Sequence, residues 1–293
     1  MENKRIHVNG IDIVYKECGS STEDYTVVLL HGFCGSSLYW EKVYPMLCEQ
    51  YRVIMPDLRG HGESSSPSGN YSMRVMADDI AALLEALQIE KVVMFGHSLG
   101  GYVTAAFAEH YPDKLAGFAL IHSTVLPDSD EIKQKRIKEM KEIREKGITA
   151  YVSRFIPSLF NDKKLNEWQA EVDEMIQVGQ QMKPEAAISL LGGMMQRPDL
   201  SHVLTDAKFP ILLVAGAEDR VVLPEVTFSV NNQGSPESTY QHPHVQETMF
   251  EDVGHMSLIE VSAQLSRTMV LYLQTLMENE ATRNEAESDS AFL

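Results

Sequence analysis

The sequence predicts an α/β protein with a mostly parallel sheet, and three features of the chain predict it. Short apolar runs, Thr26 to Leu30, Tyr51 to Met55, Lys91 to Phe95, Ala116 to Ile121 and Pro210 to Ala215, read as strands buried on both faces. Helical stretches such as Ser72 to Leu87 and Leu99 to His110 lie between them, and this alternation implies right-handed crossovers. Between Ser123 and about Lys208 no strand is evident, only amphipathic sequence such as Lys133 to Lys146 and Asn166 to Met182, so a helical lid is expected after the sixth strand.

The chain opens with alternating residues, Ile6, Val8, Ile11, Ile13 and Tyr15, around Asn9-Gly10. That dipeptide suits a tight primed turn, so the first element is an antiparallel hairpin. Thr248 to Glu251 reads as the last strand, and Ser229 to His244, rich in Asn, Gly, Ser and Pro, as a long surface loop before it. The expected organisation is a core of residues 1–123 and 208–277, a lid of 124–207, and a disordered acidic tail of 278–293.

Bulk properties exclude several classes. No apolar run approaches the roughly 20 residues that span a bilayer, and the first residues lack the apolar core of a signal peptide. The net charge of −17 disfavours nucleic acid and anionic membrane surfaces as partners. The three cysteines, Cys18, Cys34 and Cys48, have no metal-like spacing and read as free thiols of a cytoplasmic protein, with no metal or disulfide framework.

The chemistry is concentrated in Gly96-His97-Ser98-Leu99-Gly100, a G-x-S-x-G pattern with a strand before it and a helix after it. In that context the serine occupies a strained turn where flanking side chains would collide with backbone, and its hydroxyl projects at the carboxyl edge of the sheet. A serine hydroxyl needs a base, and the base needs an acid to fix its tautomer. The buried run Ile211 to Ala215, followed by Gly216, delivers Asp219 to the same edge, with Glu218 the neighbouring alternative. Asp252-Val253-Gly254-His255 then places a histidine after the last strand. His97, beside the serine, is expected to be structural.

His31-Gly32-Phe33-Cys34-Gly35 follows the strand Val27 to Leu30, which is where one oxyanion-hole amide arises. The amides of Phe33 and Leu99 are assigned to that hole. His31 is expected to brace the loop, Cys34 to fill space, and Asp57-Leu58-Arg59-Gly60-His61-Gly62-Glu63-Ser64 to be scaffold. The substrate pocket is assigned to Phe33, His122, Phe155, Met194, Val221 and Met256. Arg197 is read as a hinge ion pair, with a substrate carboxylate as the alternative.

Together these segments resemble the α/β-hydrolase superfamily, and within it the lid-bearing group of carboxylesterases, enol-lactonases, cofactor-free perhydrolases and carbon-carbon bond hydrolases. The resemblance spans about Ile6 to Leu276 and implies an eight-stranded fold, no cofactor, and an acyl-enzyme on Ser98 resolved by water. Haloalkane dehalogenases and epoxide hydrolases place Asp where Ser98 stands, which argues against both. The expected function is hydrolysis of a small or medium apolar ester. Carbon-carbon cleavage or lactone hydrolysis by the same three residues is the alternative, and a non-catalytic ligand receptor the second.

Overall fold

The computed structural model describes residues 1–20, 26–69, 71–229 and 244–290, with side chains up to 278. Eight strands form one sheet: β1 Lys4–Val8, β2 Ile11–Cys18, β3 Thr26–Leu30, β4 Val53–Pro56, β5 Val92–His97, β6 Leu115–Ile121, β7 Ile211–Gly216 and β8 Val245–Phe250. Their order is β1-β2-β4-β3-β5-β6-β7-β8; the first two pairings are antiparallel and the remainder parallel. The hairpin turns at Asn9 and Gly10, both with positive φ (50° and 75°), as the primed turn requires. β3, β5 and β7 are buried along their whole length, matching their unbroken apolar sequence.

The order of strands decides where a ligand can sit. From β3 the chain crosses one way to β4 and then back past β3 to β5, so the connections at the carboxyl ends of β3 and β5 diverge and leave a crevice. The helices α1 Tyr44–Cys48, α2 Met73–Ala86 and α3 Leu99–His110 complete this half. Ser72 caps α2 by accepting from the Val75 amide at 3.3 Å.

Between β6 and β7 the chain is helical, as expected: α4 Asp130–Phe155, α5 Gln169–Gln180, α6 Pro184–Met195 and α7 Ser201–Thr205. α4 is broken at Gly147, with φ of 83°, immediately after the stretch that reads as helical in the sequence. A single turn, α8 Pro224–Thr227, follows β7; α9 Ser257–Glu260 and α10 Ser262–Ser290 close the chain. The terminal helix continues through residues expected to be disordered from 278, because Glu, Ala and Arg in that stretch are good helix formers despite its acidity. The expected loop from Ser229 to His244 lies almost wholly outside the described residues.

The cysteine reading is corrected. Cys34 is free and buried, but Cys18 and Cys48 are bonded, with Cα atoms 5.7 Å apart. Their proximity comes from a tertiary contact, since Gly19 at the end of β2 packs so closely on α1 that a Cβ there would meet the Cys48 carbonyl at 2.8 Å. The thiol argument for a cytoplasmic location loses two of its three residues. Among the described residues no helix is long and apolar enough to cross a membrane.

The loop after β4 is held by buried charge. Arg59 meets Asp79 of α2 through two bonds of 2.6 Å, and Asn9 adds a third to Asp79 at 2.7 Å. Asp79→Ala leaves the Arg59 guanidinium buried without its partner and is expected to lower stability by about 3–5 kcal/mol in urea unfolding, whereas the double variant Arg59→Met/Asp79→Leu recovers most of that loss.

Candidate active site

Five neighbouring strands, β3, β5, β6, β7 and β8, end at one edge of the sheet, and each is followed by a residue of interest: Phe33, Ser98, His122, Asp219 and His255. Ser98 stands between β5 and α3 with φ of 52° and ψ of −115°, a conformation that non-glycine residues adopt only where the surroundings enforce it. The enforcement is visible. The Ser98 amide donates to the Ile121 carbonyl at 2.9 Å, and its carbonyl accepts from the Ser123 hydroxyl at 2.8 Å and the Gly101 amide at 2.9 Å. Gly100 has no room for a Cβ against the His31 carbonyl, at 2.8 Å.

Asp219 is buried and makes four hydrogen bonds. Its Oδ1 accepts from the amides of Val221 and Val222 at 2.8 and 3.1 Å, and its Oδ2 from His255 Nδ1 at 2.8 Å and His122 Nδ1 at 2.9 Å. Burial by itself would raise the Asp219 pKa; the two imidazoles and these bonds overcome it and hold the carboxyl well below the usual carboxylate range. The alternative acid, Glu218, instead meets the Lys163 ammonium at 2.8 Å.

His255 is itself clamped. Its amide donates to Leu159 O at 2.7 Å, the preceding Gly254 amide meets Glu260, and its carbonyl accepts from His97 Nε2 at 2.9 Å. With Nδ1 taken by Asp219, Nε2 is the nitrogen left over. Neither it nor Ser98 Oγ has a hydrogen-bond partner among the described residues, and no bond joins the two. The His97 and His255 rings lie 5.1 Å apart, so His97 is a packing and hydrogen-bonding neighbour, as expected.

The loop after β3 turns through a bond from the Gly35 amide to the Gly32 carbonyl at 3.1 Å, leaving Phe33 and Cys34 at its centre. It presses on Ser98: a Cβ on Gly32 would meet His97 Nδ1 at 2.8 Å and Ser98 Cβ at 3.3 Å. The Leu99 amide opens α3, where first-turn N–H groups have no intrahelical acceptor. His31 receives the Leu58 amide on Nε2 at 2.9 Å, so its Nδ1 carries the proton and donates to the Gly32 carbonyl at 2.8 Å. Asp57 gathers the amides of Ser37 and Glu63 at 2.8 and 3.0 Å, consistent with a scaffold. Burial pushes the Cys34 thiol well up, which keeps it protonated.

Ser98 faces a cavity of about 410 Å³ walled by the strand-end loops and by α4 and α6. Of the six residues assigned to the pocket, Phe33, Phe155, Met194 and Val221 line it. His122 and Met256 do not; both are fully buried behind it. His122, with φ of 50°, turns its ring toward Asp219 on one side and the Ser257 hydroxyl on the other, at 2.8 Å. A histidine that hydrogen-bonds the acid from the end of a neighbouring strand leaves no periodicity or spacing signal, so the sequence offered only its position after β6. Arg197 forms the expected ion pair, meeting Asp128 at 2.6 Å and the Leu126 carbonyl at 2.9 Å, while its guanidinium stacks over Tyr102 at 4.0 Å.

A family model described as the alpha/beta hydrolase fold matches residues 25–261. The chain belongs to the α/β-hydrolase family. Among solved structures, this α/β hydrolase superposes on a thermophilic esterase from Thermogutta terrifontis with a TM-score of 0.83 at 29% identity, over 94% of this chain and 99% of that one. It shares its fold with the enol-lactonase of Burkholderia xenovorans LB400, with a TM-score of 0.82 at 22% identity, over 92% and 100%. A curated relative, the putative carbamate hydrolase RutD of Pantoea ananatis, is 31% identical over 218 residues, 71% of this chain and 76% of that protein.

The α/β hydrolase carries four histidines, His31, His61, His97 and His122, that burial holds neutral with pKa values below the ordinary one. A group whose pKa is depressed on folding stabilises the protein above its unfolded pKa and loses that contribution as pH falls. Tm is therefore expected to be level above neutrality and to fall progressively below about pH 6.5, measured by differential scanning calorimetry, whereas a Tm unchanged down to about pH 5 contradicts it.

Proposed function

We propose that this α/β hydrolase is a serine hydrolase that cleaves a small or medium, largely apolar ester through an acyl-enzyme. The observation that carries this reading is the Asp219–His255 bond of 2.8 Å at the sheet edge where strained Ser98 faces its cavity. In the proposed reaction His255 Nε2 takes the Ser98 hydroxyl proton as Oγ bonds to the carbonyl carbon. The negative oxygen is received by the amides of Phe33 and Leu99, where each such donor contributes about 2.7–4 kcal/mol to the transition state. The proton passes to the departing alkoxide, which leaves as the alcohol. Water then adds to the acyl carbon, giving its proton to His255, which passes it to Ser98 Oγ as the acyl bond breaks and the carboxylic acid is released. Asp219 holds the imidazole in the tautomer this requires and stays ionised, and His122 supports Asp219 from behind.

The helices α4 to α7 act as a lid in this reading: α4 and α6 wall the cavity, and Leu159, at the end of the turn after α4, fixes the His255 loop through its carbonyl. Substrates with a carboxylate, such as the vinylogous keto acids of carbon-carbon hydrolases, are disfavoured because both arginines on the cavity wall, Arg136 and Arg197, are already bound to Asp128, and the remaining cation, Lys135, shares the wall with the carboxylates of Glu131 and Glu139. An uncharged ester matches that wall. The likeness to a solved esterase at 29% identity supports the same class. The strongly acidic surface fits a small-molecule substrate and not nucleic acid.

A fluorophosphonate probe is expected to label the protein at Ser98, with labelling abolished in Ser98→Ala. Asp219→Asn is expected to lower kcat on a p-nitrophenyl ester by about four orders of magnitude while leaving the fold intact. A folded wild-type protein that resists the probe sinks the hydrolase reading and favours a ligand receptor.

A further inference from the structure

One part of the cavity wall is not apolar. Glu139 and Tyr151, on either side of the Gly147 break in α4, both line the cavity that Ser98 faces, and both are buried, at 7% and 0% exposure. Among the described residues the Tyr151 hydroxyl is enclosed without a hydrogen-bond partner, and the Glu139 carboxyl, also unpaired, keeps its oxygens open to the cavity. The two are not bonded to each other. Two of the surrounding cations are engaged elsewhere, Arg136 with Asp128 at 2.5 Å and Arg154 with Glu142 at 2.7 Å, while the exposed Lys135 on the same wall has no partner among the described residues. Burial pushes the Glu139 carboxyl up, against the downward pull of Lys135, Arg136 and Arg154.

Buried polar groups are almost always paired, and leaving one unpaired is costly; an enclosed, unpaired Tyr151 hydroxyl on the same cavity wall as the unpaired Glu139 carboxyl points to a ligand that supplies the missing partner. We propose that Glu139 and Tyr151 form a hydrogen-bonding subsite, and that the substrate is an ester with an apolar body and a hydroxyl group set away from the scissile carbonyl. The assignment rests on the hydrolase reading above. A hydroxyl fits because it both donates and accepts: it gives its proton to Glu139 and receives the Tyr151 O–H. An ammonium would satisfy Glu139 but offers Tyr151 no acceptor, and it would lie among Lys135, Arg136 and Arg154. A carboxylate cannot donate to Glu139 and is repelled by it. Sites built to hydrogen-bond a substrate hydroxyl discriminate strongly against the analogue that lacks it, because the protein groups are then stranded. Phe33, Phe155 and Met194 contact the apolar body between the two ends.

The test compares kcat/KM for methyl esters from butanoate to octanoate with that for their ω-hydroxy counterparts, in wild type, Tyr151→Phe and Glu139→Gln. At the matching chain length the wild type is expected to favour the hydroxy ester by about ten- to a hundredfold. Both substitutions are expected to bring that ratio toward unity; because it is a ratio, a general loss of activity does not mimic the effect. No preference at any length, or a preference that survives in both variants, overturns the subsite. If neither ester series is cleaved and the fluorophosphonate leaves Ser98 unlabelled, it is the hydrolase reading that fails. The subsite is then read from thermal stabilisation by the hydroxy esters: a shift lost in Tyr151→Phe supports it, and no shift overturns it.

Discussion

The structure depends on one buried carboxylate. Asp219 is removed from water at the carboxyl edge of the sheet, where an isolated charge would be unstable, and four N–H donors replace its hydration. Two are backbone amides of the turn it begins, and two are imidazoles delivered by the strands on either side, β6 and β8. Because one oxygen receives both imidazoles, the ends of three adjacent strands are fixed relative to one another by a single atom. The position of His255 follows from that constraint and from the clamp that Leu159, Glu260 and His97 place on its loop.

The second constraint is steric and sits two strands away, at the end of β5. Ser98 is held in a backbone conformation it would not choose, because glycines at 96 and 100 let β3, β5 and α3 approach closely and because the Ile121 carbonyl and Ser123 hydroxyl grip its peptide groups. The loop after β3 lies against the same turn at Gly32. The sheet edge carries Ser98, Asp219 and His255, while the helical segment supplies much of the wall of the cavity that Ser98 faces.

Much of this was legible in the sequence, for identifiable reasons. Parallel strands buried on both faces read as continuous apolar runs, and Asn9-Gly10 marks its own turn, so the sheet was readable to within a few residues at each strand. That Ser98 and Asp219 reach one edge of the sheet was readable because each follows such a strand and glycine spacing marks the elbow, whereas the strand before His255, β8, is largely polar and exposed. What escaped depends on contacts between residues distant in sequence. His122 looks like any polar residue after a strand until β6 and β7 are set side by side. Cys18 and Cys48 look like free thiols until Gly19 is seen packed on α1.

The shared oxygen of Asp219 can be observed directly. Proton NMR at low field, recorded with nitrogen-labelled histidine, is expected to show two slowly exchanging imidazole Nδ1–H resonances, from His122 and His255, and both should move or vanish in Asp219→Asn while the fold is retained. A spectrum with neither resonance, or with both unchanged in the variant, would mean that this carboxylate does not tie the strands together and that the account of the site is wrong.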